Sequence, residues 1–151
     1  MSRLIIAVPL ALAALAGCRG EDPARAERRA GAARAACVGG ELAVQAGNRL
    51  AAVDTLAANG NPLTATLFPF ARGYHDYAKL RERQLALLDS AATAGSNEDS
   101  TELATRAAAG DPGRGRPGTP EANAADAYDR DFAAAMGNPS HPCNAAASDE
   151  K

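Results

Sequence analysis

The chain has 151 residues, a formal net charge of −2 and 4% aromatic residues, with no tryptophan. That length suits one small domain, and so few bulky side chains exclude a large aromatic core. Arginine outnumbers lysine fourteen to two, which reads as coding bias before it reads as a basic surface. No catalytic constellation, cofactor loop or nucleic-acid signature stands above background.

The first stretch, MSRLIIAVPLALAALAGC, has the three-part grammar of a secretory signal. Arg3 supplies the positive end, and Leu4 to Ala16 is an uncharged apolar run of thirteen residues. A helix needs about 20 residues to span a bilayer, so a transmembrane reading is the weaker one. Leu15-Ala16-Gly17-Cys18 closes the run with a branched apolar residue, two small residues and a cysteine. This tetrad resembles the lipobox of bacterial lipoproteins. The resemblance covers residues 1–18 only and implies nothing about the fold beyond them.

It implies that residues 1–17 are a cleaved signal peptide and that Cys18 carries a diacylglyceryl group. Further acylation of the new amino terminus, palmitate for example, would give two or three chains, which hold a protein stably where one does not. The chain is then expected in the cell envelope, lipid-anchored to a membrane and facing the periplasm. Arg19 departs from the Asp that marks inner-membrane retention, so the outer membrane is favoured. Without Arg3 the net charge becomes −3.

Residues 18–36 read as a lipidated tether, either a helical extension or partly disordered. Asp22-Pro23 looks like a helix start, with Asp as N-cap and Pro in the first turn. Arg25, Arg28 and Arg29 follow. This basic segment either lies against anionic headgroups or is a solvated spacer. Gly39-Gly40 then weakens the helix by about 1 kcal/mol per glycine, which predicts a kink or a break.

The helical domain is expected over residues 37–143. Val38, Leu42, Ala46, Leu50, Val53 and Ala57 recur at three- and four-residue steps, which places them on one helical face. Asn59-Gly60-Asn61-Pro62 stops that helix, and a loop runs through Leu67. A second helix is predicted from Pro69 to Gly95, with Phe70, Tyr74, Tyr77, Leu80, Leu85, Leu87, Leu88 and Ala92 as its apolar residues. The two form an αα-hairpin. Asp99-Ser100-Thr101-Glu102 reads as a capping box for a short helix to Ala109. Residues 111–118 are a Pro/Gly/Arg linker. Thr119-Pro120-Glu121 opens a last helix whose Tyr128, Phe132 and Met136 dock on the hairpin. It ends at Gly137-Asn138-Pro139, and residues 144–151 read as a disordered tail. The class is therefore all-α, a small bundle of three to four helices with disordered termini.

With Cys18 lipidated, Cys37 and Cys143 remain, and an exported chain favours a single disulfide between them. His75 and Asp76 are adjacent, and neighbours on a helix do not share a face. His141 lies in a Pro-rich turn near Cys143 and would need carboxylates to hold a metal. No metal site, no cofactor and no enzymatic activity are expected. The reading is a non-catalytic structural or interaction component of the envelope, binding another envelope protein. The alternative is a module for a small hydrophobic or cationic molecule held between helices near Tyr74 and Tyr77.

Overall fold

The computed structural model describes residues 22–110 and 115–145. They form five helices: α1 (Pro23–Ala58), α2 (Thr64–Thr93), α3 (Asn97–Ala109), α4 (Pro120–Gly137) and α5 (Pro142–Ala145). The all-α class is as expected, with α5 as an additional short turn. The signal stretch, Cys18 and Arg19 lie outside the described residues, as does the tail beyond Ala145. Among the described residues no helix is long and apolar enough to cross a membrane.

α1 and α2 make the expected hairpin and pack more extensively on each other than any other pair. α1 begins where the Asp22 side chain accepts from the Ala24 amide at 3.1 Å. It then runs unbroken for 36 residues, straight through Gly39-Gly40. The expected break is absent, because helix propensity is overridden by packing. Gly39 is buried, and a Cβ there would lie 2.5 Å from Leu85 Cδ1 and 3.6 Å from the Tyr128 hydroxyl. The glycine pair weakens the helix locally, yet Gly39 lets α2 and α4 approach it closely.

α1 ends as its sequence predicts. Gly60 has φ +72°, its amide donates to Ala57 at 2.9 Å, and the Asn61 amide donates to Leu56 at 3.1 Å. These two bonds are a Schellman stop. The connection is shorter than expected, because α2 starts at Thr64 and not near Pro69. Asn61 launches it: its side chain accepts from the Leu63 amide at 3.0 Å, and its carbonyl accepts from Thr64 Oγ1 at 2.7 Å. Pro69 therefore sits inside the helix. There the missing N–H leaves the Ala65 carbonyl without its helical donor, and exposed Ala65 can bond water instead.

α3 starts three residues before the expected capping box, with Ser96 as N-cap accepting from the Asp99 amide at 3.0 Å. α4 is capped by Thr119 with Pro120 in its first turn, as expected. Tyr128 is the largest fully buried side chain, and Phe132, Ala135 and Met136 pack around the core it centres.

α2 carries α3 toward its C-terminal end and α4 along its middle, while α4 and α5 also touch α1. α1 spans about 54 Å and α4 about 27 Å at 1.5 Å per residue, so α4 covers only part of the hairpin. The α1 stripe accordingly divides. Val38, Leu42 and Ala46 are buried, whereas Leu50 and Val53 are half-buried and Ala57 is exposed. On α2 the buried positions are Tyr74, Ala78, Leu85 and Ala91, while Phe70, Leu80 and Leu88 are about two-fifths exposed.

A disulfide joins Cys37 to Cys143, with Cα atoms 5.8 Å apart and a sequence separation of 106. It ties α5 to α1 and closes nearly the whole described chain. A loop of that length contributes about 4–5 kcal/mol in the chain-entropy model. Asn144, placed with the tail on sequence, belongs to α5, and its amide donates to the Ala135 carbonyl at 3.0 Å.

The two neighbouring glycines provide a test of this packing. Gly40→Ala meets nothing nearer than Glu82 Oε1 at 4.0 Å and should stabilise the domain by about 0.5–1 kcal/mol through helix propensity. Gly39→Ala must displace buried Leu85, and overpacking of this kind costs about 1–3 kcal/mol. Thermal melts should therefore move a few degrees in opposite directions. Equal shifts in both variants would show that Gly39 is not a packing position.

Candidate functional site

The sequence singles out Tyr74 and Tyr77, and the fold brings both to the α2–α4 contact. Three edge-on or stacked pairs centre on Tyr128, whose ring centroid lies 5.8 Å from Tyr74, 5.3 Å from Tyr77 and 6.1 Å from Phe132. Phe70 extends the row, 6.4 Å from Tyr74. Rings at such spacing attract each other by about 0.5–1.5 kcal/mol per pair beyond their burial. The cluster is mostly core, as helical spacing suggests.

Its polar edge faces α4. The Tyr74 hydroxyl donates to Asp131 Oδ2 at 2.7 Å, and the Tyr77 hydroxyl donates to Asp129 Oδ1 at 3.4 Å. Arg49 of α1 completes this edge, with its guanidinium 5.6 Å from the Tyr74 ring centre and 3.8 Å from Asp131. Burial first, and then the bond to the Asp131 carboxylate, holds the Tyr74 phenol well above its ordinary pKa. Burial also pushes the Tyr128 phenol up to about 12. The Tyr128 hydroxyl is buried and has no hydrogen-bond partner among the described residues.

Beyond Tyr74, where α4 no longer covers the hairpin, an apolar groove opens between α1 and α2. Ala46, Arg49 and Val53 line one wall, and Leu67, Phe70 and Tyr74 line the other; its volume is about 180 Å³. That is close to the roughly 150 Å³ of an apolar cavity that holds a benzene-sized molecule. Tyr74 contributes to this groove. Tyr77, one turn further along α2, packs on Tyr128 and is not part of the lining. The pocket expected between helices near Tyr74 and Tyr77 is thus present at Tyr74 and not at Tyr77, while Val53 and Phe70 of its lining sit in patterns that read as core.

Two further clusters stand elsewhere. At the opposite end, Arg25 and Arg28 border a hollow of about 290 Å³ at the start of α3. Arg25 already donates to the Ala94 carbonyl at 2.9 Å, and Glu98 and Asp99 occupy the first turn of that helix. At the disulfide, His141 Nε2 lies 3.4 Å from Glu41 Oε2, and its Nδ1 accepts from the Cys143 amide at 3.3 Å. Glu41 escaped the sequence reading, although it stands four residues after Cys37 and so shares its helical face. His75 and Asp76 do touch, at 3.2 Å, because flexible side chains reach across the 100° between neighbouring positions.

The tyrosines set an alkaline limit. Below about pH 10 the phenols are protonated in both folded and unfolded chains. Above it the unfolded phenols ionise first, so stability falls by about 1.4 kcal/mol per pH unit for each raised tyrosine. Melting curves from pH 8 to 12 should show this loss, with a shallower slope in Tyr128→Phe. An unchanged slope in that variant would contradict the assignment.

The chain matches no family model, and no similar curated protein or solved structure is found for it.

Proposed function

We propose that this chain is a lipid-anchored, non-catalytic binding module of the bacterial cell envelope, whose α1–α2 groove takes a small hydrophobic molecule. The observation that carries the reading is the apolar groove beside Tyr74, at the uncovered end of the hairpin. A neutral ligand fits better than a cationic one, since Arg49 already lies over the Tyr74 ring. The groove offers no ready acid–base chemistry at neutral pH. Its one phenol is bonded to Asp131 and held protonated. Anchoring at Cys18 rests on the lipobox resemblance and on the basic turns that begin α1 a few residues later.

A second reading, an envelope protein seated on the hairpin tip, is favoured by one observation. Leu56, Leu63, Leu67 and Phe70 are all exposed at that end, Leu63 by 63%. Exposed apolar side chains grouped in this way mark interaction surfaces.

Indole, a neutral ring system of about the groove's size, provides the binding test. Titrated against methyl-labelled protein, it should give saturable shifts at Val53 and Leu67, and affinity should fall at least tenfold in Ala71→Leu, which fills the groove from its α2 wall, where Ala71 also lines it. Non-saturating shifts spread over Val44, Leu80 and Leu88 as well would contradict a defined site. The anchor has its own test, a mass spectrum of the membrane-fraction protein. A mature chain starting at Cys18 with added acyl mass is expected, and an intact Met1 with an unmodified Cys18 would overturn the location.

A further inference from the structure

The geometry points to a latent zinc site beneath the disulfide, formed by Cys37, Cys143, His141 and Glu41 once that bond is reduced. The inference is independent of the groove and of the anchor. The ligating atoms of Glu41, His141 and Cys143 all lie within 4.8 Å of one another. Cys37 is covalently bonded to Cys143 and so delivers a second sulfur to the same point. Two sulfurs, an imidazole nitrogen and a carboxylate oxygen match the donor types and the ligand number of a four-coordinate zinc ion.

The positions of these groups follow from the fold. Cys37 and Glu41 are one turn apart on α1, and the α5 turn returns His141 and Cys143 to that face. His141 keeps the lone pair on Nδ1, the nitrogen that accepts from the Cys143 amide. Its Nε2 faces Glu41 Oε2 at 3.4 Å; to bind zinc beside that carboxylate the imidazole shifts its proton from Nε2 to Nδ1 and releases the Cys143 amide. The same Glu41 oxygen lies 3.9 Å from Cys143 Sγ. Ligands held about 2.0–2.3 Å from one ion lie under about 4 Å apart, so a contraction of about 1 Å closes the set. Thiolates favour zinc over magnesium or calcium, and zinc does not itself reoxidise them.

The chemistry balances with a dithiol reductant. An external thiolate attacks Cys37, which is exposed, and Cys143, which is buried, leaves. The second thiol of the reductant resolves the mixed disulfide, so the protein gains two electrons and two protons as the reductant becomes a disulfide. Zinc then displaces the two thiol protons to solvent, with no further electron transfer. In the oxidised chain both sulfurs are committed to each other, and the ligand set is incomplete.

The test uses the whole chain, oxidised or reduced with a phosphine, and titrated with Zn²⁺ against a chromophoric chelator. One ion per chain is expected after reduction and none before it. Affinity should fall at least tenfold in His141→Ala and in Glu41→Gln. Circular dichroism covers the case in which reduction unfolds the domain: one equivalent of Zn²⁺ should then restore helix in the native sequence and not in His141→Ala. Absence of stoichiometric binding to the reduced chain, or binding and refolding unchanged in His141→Ala, would overturn the site.

Discussion

The close approach of three helices at Gly39 is the constraint on which the remaining structure depends. Leu85 of α2 and Tyr128 of α4 both reach the point where a Cβ on α1 would stand. That contact lets a chain poor in aromatic side chains seat its largest buried residue at the centre. Tyr128 gathers Tyr74, Tyr77 and Phe132 around itself, so most of the aromatic side chains work as one cluster. Alanine fills the gaps: Ala43, Ala46, Ala78 and Ala124 are buried, and their size permits close backbone approach. The Cys37–Cys143 bond holds the chain's return beside this seat, two residues before Gly39.

Everything else follows from how little of the hairpin that seat covers. α4 is half the length of α1, and α3 is shorter still. One end of the hairpin is thus roofed, and the other keeps its apolar stripe open. The groove beside Tyr74 and the exposed leucines at the tip are two expressions of the same mismatch. A core so small has a net stability of only several kcal/mol, to which the disulfide adds a large share. The cluster of Glu41 and His141 around that bond lies at the roofed end, away from the groove.

Much of this was legible in the residues, where short-range chemistry decides. The α1 stop at Asn59-Gly60-Asn61, the Thr119-Pro120 start of α4 and the Tyr128–Phe132 face could be read directly. So could the pairing of the two remaining cysteines. What sequence could not show depended on partners far along the chain. Gly39-Gly40 reads as a break until Leu85 and Tyr128 occupy the space it leaves. Pro69 reads as a helix start until Asn61 begins the helix five residues before it. Val53 and Phe70 read as core because their periodicity cannot reveal where α4 stops. Glu41 gave no signal of its own, since the turn that brings His141 beside it lies 100 residues later.

The division of the hairpin into a roofed half and an open half is the central claim, and amide hydrogen exchange resolved by residue tests it most directly. Protection should be strongest along α1 from Val38 to Ala46 and along α2 from Tyr74 to Leu85. It should fall steadily toward Ala57 and Leu67, where only one helix covers another. Protection that is uniform along both helices, or highest at the tip, would contradict the account.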